Sequence, residues 1–199
     1  MHTTGVKSFK PHTRPMELPL NPLKFSEALI QFRNSKVKDE SLLAELYKVE
    51  VYRGLPSSTH DPRSHATNVE QKNNWTKDSR VIVTQRSLKY DLTPSQYPDG
   101  TPKKYSSKVE KGIDVLCALA IMRNAALAEI DLVIVASHDS DLEPALEEAH
   151  SLTNGTKFET VSWFNPEFKA GRTRMNPKTS SPIWNTALGF QAFMASLDN

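Results

Sequence analysis

Three carboxylates in this chain have types and spacing that could do chemistry. Asp139 and Asp141 stand two residues apart in "SHDSD", where the apolar run "DLVIVA" gives way to a helical pattern. Asp114 stands 25 residues before Asp139, in "EKGID". Paired acids of this kind suit a hard divalent cation. Mg²⁺ and Mn²⁺ prefer carboxylate and water oxygens and keep much of their hydration. Such ions activate water for attack on a phosphodiester and stabilise the leaving oxygen.

A structural reading competes. Ser140 with Glu143 three residues on forms a capping box, and Pro144 falls in a first helical turn, where its missing N–H costs little. Acids beside a helix N-terminus are favoured by the macrodipole. That reading leaves the location unexplained, because ligands of open parallel sheets gather at the carboxyl ends of strands. Glu110 and Asp114 are four apart, and like charges at that spacing on a helix repel. The rest of that helix is apolar, so Asp114 is expected to turn toward the interior, where an unpaired carboxylate is costly. Lys111 and a shared cation are the two candidate partners, and the residues alone leave both open.

The elements that must position these acids follow from periodicity. Residues 1–22 carry Pro11, Pro15, Pro19 and Pro22 and read as an irregular arm. "LKFSEALIQF" predicts a helix with Phe25, Ala28, Leu29 and Phe32 on one face, and "SLLAELY" (41–47) continues in a helical manner. "KVEVYRGLP" and "SRVIVTQRSLKY" predict strands, with a polar helix or loop at 62–78 between them. Residues 91–107, with three prolines and a glycine, predict a long loop of the functional kind. "KVEKGIDVLCALAIMRNAALAE" predicts a largely buried helix, and "DLVIVAS" a parallel strand covered on both faces. A helix at 140–151, the strand "KFETVSWF", a Pro-rich loop and a last helix near 182–197 complete the chain. Alternating strands and helices predict an α/β class with a mainly parallel sheet.

Composition sets the limits. The 199 residues are 38% hydrophobic and 24% charged, with a net charge of +2, so any attraction to nucleic acid must come from local clusters. The lysines Lys103, Lys104, Lys108 and Lys111, with Tyr97 and Tyr105, form one such cluster; they could neutralise phosphates and stack on an unpaired base. Arg172, Arg174 and Lys178 form a second, and Arg53 and Arg86 lie near strand ends. Cys117 is the only cysteine, which excludes an intrachain disulfide and favours a reducing compartment; its apolar neighbours predict a buried structural thiol. No P-loop, G-x-G-x-x-G, helical zinc pair or nucleophile elbow is present. There is no signal-like apolar segment at the N-terminus and no apolar run of membrane-spanning length, so no membrane partner and a cytoplasmic location are expected.

The two linked motifs resemble those of the NYN domains of the PIN-like nuclease superfamily, whose pattern is K-G-x-D-V followed by a strand ending in S-x-D-S-D and a proline. Lys111, Gly112, Asp114 and Val115 match the first motif; Ser137, Asp139, Ser140, Asp141 and Pro144 match the second. The likeness covers about 105–165 closely and 23–199 loosely, which gives an arm at 1–22 and a domain at 23–199. It implies a PIN-like three-layer α/β sandwich and a ribonuclease in which a metal-activated water cleaves RNA. Mg²⁺ or Mn²⁺ would be held by Asp114, Asp139 and Asp141, these being also the catalytic residues. RNA would lie along Lys103, Lys104, Lys108 and Lys111.

One departure stands out. The family's opening strand, V-x-x-D-G-x-N, has no counterpart in residues 1–22, and His138 stands where glycine is frequent. Either the chain starts downstream of that strand or it is a shortened member. A shortened member would serve as an RNA-binding or protein-interaction module. It would also expose strand edges that invite association between copies.

Overall fold

The computed structural model describes residues 1–152, 155–167 and 174–198. In chain order the elements are α1 (His2–Phe9), α2 (Pro22–Asn34), β1 (Val49–Leu55), α3 (Pro62–Trp75), β2 (Val81–Ser87), β3 (Lys89–Asp91), β4 (Ser107–Val109), α4 (Ile113–Ala125), β5 (Leu132–Val135), α5 (Glu143–Leu152), β6 (Lys157–Trp163), β7 (Trp184–Leu188) and α6 (Phe190–Ala195). The class is mixed α/β with parallel pairing. No helix among the described residues is long and apolar enough to cross a membrane. Two units divide the chain, Met1–Val49 with Cys117–Asn199, and Glu50–Leu116.

The first unit is organised by β6, which pairs in parallel with β5 on one side and β7 on the other. Its side chains alternate between two cores, as the period of a strand requires. Val161 and Trp163 join Val6, Phe25, Leu29, Leu188, Phe193 and Leu197, contributed by α1, α2, β7 and α6 with the turn after it. Phe158 joins Ile121, Ala125, Val135, Leu142, Leu146 and Ala149, from α4, β5 and α5 with its leading turn. Helices thus cover both faces of the sheet.

Among the β6 residues facing the α2 side is Glu159, buried and held by the Arg33 guanidinium at 2.8 Å through Nη2 and about as closely through Nε. Arg33 also donates to the Leu42 carbonyl at 2.7 Å, and the Asn34 side chain exchanges two bonds with the Ala44 backbone. These side-chain clasps explain why 41–47 is not the predicted helix. Beyond a short 3-10 turn at Glu40–Leu42 the segment has no helix, because Arg33 and Asn34 take up backbone groups that a helix would need.

Three further expectations are corrected. The arm at 1–22 is not irregular: it opens with α1, whose Val6 is fully buried. Gly5 lets α1 approach Trp163, since a Cβ there would lie 2.8 Å from the indole nitrogen, which donates to the Met1 carbonyl. The predicted helix near 182–197 is instead strand β7 followed by the short α6, because "WNTAL" finds a parallel partner in β6 from Glu159↔Trp184 to Trp163↔Leu188. The α4 helix is not largely buried: Ile113, Ala120, Ile121 and Ala125 are inside, but Val115 and Leu119 are 60% and 57% exposed.

In the second unit, β1 and β2 form a two-stranded sheet joined through α3. The N–H of Leu88, one residue past β2, donates to the carbonyl of Leu55, the last residue of β1, so the carboxyl ends of the two strands lie together and they run in the same direction. The predicted loop at 91–107 closes a hairpin, with strand only at its base. β3 and β4 pair antiparallel from Lys89↔Val109 to Asp91↔Ser107, and the same register reaches Gln96↔Pro102 near the tip.

Candidate functional site

β5 delivers the chain to the acid pair. After Val135 the backbone leaves the sheet at its carboxyl end. The Ser137 hydroxyl accepts the Asp139 N–H at 3.1 Å, and a 3-10 turn, Ser140–Leu142, leads into α5. The cap of this helical segment is Asp139, not Ser140 as the capping box predicts. Asp139 Oδ1 accepts the Asp141 N–H at 3.0 Å, while Ser140 already lies inside the turn. Glu143 reaches elsewhere as well, accepting the Asn176 N–H at 2.8 Å, and Glu147 accepts that of Lys178 at 2.6 Å. Asp139 and Asp141 are both exposed. Asp139 Oδ2 and both Asp141 oxygens have no hydrogen bond among the described residues, leaving three oxygens for a ligand.

Asp114 has a different setting from the predicted one. Gly112 adopts φ +76°, and its carbonyl accepts the first helical bond from Leu116 N–H at 3.2 Å, so α4 starts only here. Glu110 therefore precedes the helix, shares no face with Asp114, and accepts the Gly54 N–H at 2.7 Å. Asp114 sits in the first turn and is exposed, not drawn inward; that position is itself favoured by the helix dipole. Asp114 belongs to the second unit, and Asp139 and Asp141 to the first. Among the described residues, no three His, Cys, Asp or Glu side chains cluster as an all-protein metal site would require.

The glycine of "KGID" has two structural reasons. Its positive φ disfavours any L side chain, and a Cβ would lie 2.9 Å from the Arg86 guanidinium, which packs over it. Gly112→Ala is expected to lower stability by about 1–2 kcal/mol. Arg86→Ala should relieve only the steric share, as equilibrium urea unfolding of the single and double variants would report. Loss of stability that vanishes entirely with Arg86 removed would mean the backbone is not the cause.

The other basic candidates separate clearly. Lys108 is tied to Asp61 at 2.7 Å, an acid not anticipated from the sequence, and this bond holds the Asp61 carboxyl below its usual range. The Lys103 ammonium lies 5.1 Å from the centre of the Tyr97 ring. Lys104 and Lys111 are exposed and make no ion pair among the described residues. Arg53 is occupied locally: Nη1 donates to Gln71 at 2.9 Å and the guanidinium lies 5.3 Å from the centre of the Trp75 ring. Arg174 and Lys178 are exposed, and Arg172 lies outside the described residues. Cys117 is half-buried in α4 against the Phe158 core.

His138, beside the acid pair, has two buried ring nitrogens with no hydrogen-bond partner. Burial, and secondarily the charge of the chain's amino terminus, hold its pKa down to about 4. A base with a depressed folded pKa contributes stability that is fully present above the unfolded value, near 6.5, and is lost as pH falls from there toward 4. The loss should be on the order of 1–2 kcal/mol once solvent screening of a part-exposed ring is allowed for. Urea midpoints of the wild type should fall more than those of His138→Phe between pH 7 and pH 4. Parallel declines in the two proteins would remove His138 as the cause.

No protein-family model matches the chain, and no curated protein or solved structure matches it.

Proposed function

We propose that the protein is a Mg²⁺- or Mn²⁺-dependent endoribonuclease with a PIN-like α/β sandwich. The observation that carries this reading is the exposed pair Asp139 and Asp141 at the carboxyl end of a parallel sheet, with three uncommitted carboxylate oxygens. This donor set suits a hydrated ion: Mg²⁺ is commonly held by one or two carboxylates together with waters and substrate phosphates, not by an all-protein cage. Asp114 enters by the motif resemblance alone. When bound, such an ion supplies the charge that activates water and steadies the leaving oxygen of a phosphodiester. The protein's part is to fix the acids, through the Ser137 and Asp139 backbone bonds, and to hold RNA with its lysines.

The test is cleavage of a labelled RNA in Mg²⁺ or Mn²⁺, with and without a chelator. Cleavage should vanish on chelation and return on adding back the metal. Cleavage that persists unchanged in chelator would discard the reading. A second reading is a non-hydrolytic RNA-binding or protein-interaction module. The service of Asp139 as a helix cap favours it, since capping accounts for that acid without a metal.

A further inference from the structure

The hairpin from 89 to 109 adds nothing to either hydrophobic core, yet it is built with care. At its tip "YPDGT" forms a turn in which Gly100 N–H donates to the Tyr97 carbonyl and Tyr97 N–H to the Thr101 carbonyl, both at 2.9 Å. Gly100 takes φ +83° and the Asp99 carboxylate accepts the Thr101 N–H, the geometry of a tight hairpin closed by a glycine bulge. Its base is anchored twice to the 57–61 segment. The Tyr90 hydroxyl accepts the Ser57 N–H at 2.9 Å, with its ring tilted against His60 and edge-on to Tyr105, and Lys108 pairs with Asp61. Tyr90 and Tyr105 are thereby used up as structure.

Tyr97 is not. The residue is 53% exposed, with the Lys103 ammonium over its ring and the exposed Lys104 next to Lys103 in sequence. An exposed amphipathic ring with the Lys103 ammonium over one face, on a fixed turn, leaves its other face for a base to stack on and a cation for the phosphates beside it. A base inside an A-form duplex cannot offer its face to such a ring, whereas an unpaired one can. We infer that the 89–109 hairpin is a pin for unpaired RNA, with Tyr97 stacking on a base and Lys103 and Lys104 contacting the flanking phosphates. This rests on the RNA reading above and narrows its substrate to single strands.

The experiment is fluorescence anisotropy in chelator, with a labelled 12-nucleotide single strand and a duplex of the same sequence. Tyr97→Ala should weaken single-strand binding about tenfold, Tyr97→Phe should stay close to wild type, and duplex binding should not respond to either. Replacing Lys103 and Lys104 together by Ala should reduce the salt slope for the single strand by about 1.4. The melting temperature of Tyr97→Ala, measured alongside, should equal that of the wild type because the ring lies outside the cores. Unchanged binding by Tyr97→Ala, equal loss with Tyr97→Phe, or tighter binding of a poly-glutamate peptide than of RNA would each overturn the inference. Tyr97-dependent binding without any cleavage in Mg²⁺ would instead sink only the nuclease reading. Cleavage with Tyr97-independent binding would sink only the pin.

Discussion

Asp139→Asn is expected to lower metal-dependent RNA cleavage by more than about 100-fold while leaving stability almost unchanged. The partners that merely support a metal ligand are worth roughly 10–100-fold, so loss of a ligand's charge should exceed that. Stability is spared because the asparagine side chain keeps an oxygen where Asp139 Oδ1 accepts the Asp141 N–H. Asp139→Ala removes that acceptor as well. It should therefore cost about 1 kcal/mol of stability in addition to the cleavage. The pair of variants separates the cap bond of this acid from the metal role proposed for it. Equal cleavage by wild type and Asp139→Asn, with only Asp139→Ala impaired and less stable, would leave Asp139 as a cap and nothing more. Asp141→Asn, which touches no cap bond, gives an independent reading of the same site.

The largest effect on stability should come from Glu159→Ala. Arg33 and Glu159 each keep about 8% of their side-chain surface exposed, and the guanidinium directs Nε and Nη2 at the carboxylate. Removing the carboxylate leaves a buried cation whose remaining bonds go to Asn34 and the Leu42 carbonyl. Breaking one side of such a pair costs about 3–5 kcal/mol, a large share of the roughly 5–15 kcal/mol by which domains are stable. Replacing both partners by apolar residues, as in Arg33→Met with Glu159→Leu, should recover most of the loss, although the 42–44 segment would lose its clasp. Urea unfolding of the two single variants and the double variant measures the coupling. A loss below about 1 kcal/mol for Glu159→Ala would show the pair to be hydrated and not buried in solution.

What the sequence could reveal follows its local physics. "DLVIVAS", "KFETVSWF" and "KVEVYRGLP" are rich enough in β-branched and aromatic residues that β5, β6 and β1 were legible, and the apolar face of Phe25, Ala28, Leu29 and Phe32 marked α2, although Pro22, which reads with the arm, is its first residue. The turn at 97–101 was not legible: Pro-Asp-Gly suits its dihedrals, but the three prolines and the glycine of 91–107 together read as one long loop. "KGID" and "SHDSD" announced where the acids would be, and Asp139 and Asp141 do follow a parallel strand at its carboxyl end.

The rest depended on partners distant in the chain. Residues 41–47 have helical periodicity, yet Arg33 and Asn34 capture their backbone. "WNTAL" fits a helical stripe, yet β6 offers a ladder that a helix would forgo. Glu110 and Asp114 share a helical face only if the helix runs through Gly112, and the positive φ there lets it start only afterwards. Residue types and spacing fixed by themselves which side chains could do chemistry. Which of them stay available was decided in three dimensions, because a bond to a distant backbone, as from Glu110 to Gly54, or to a distant acid, as from Lys108 to Asp61, leaves no trace in local sequence.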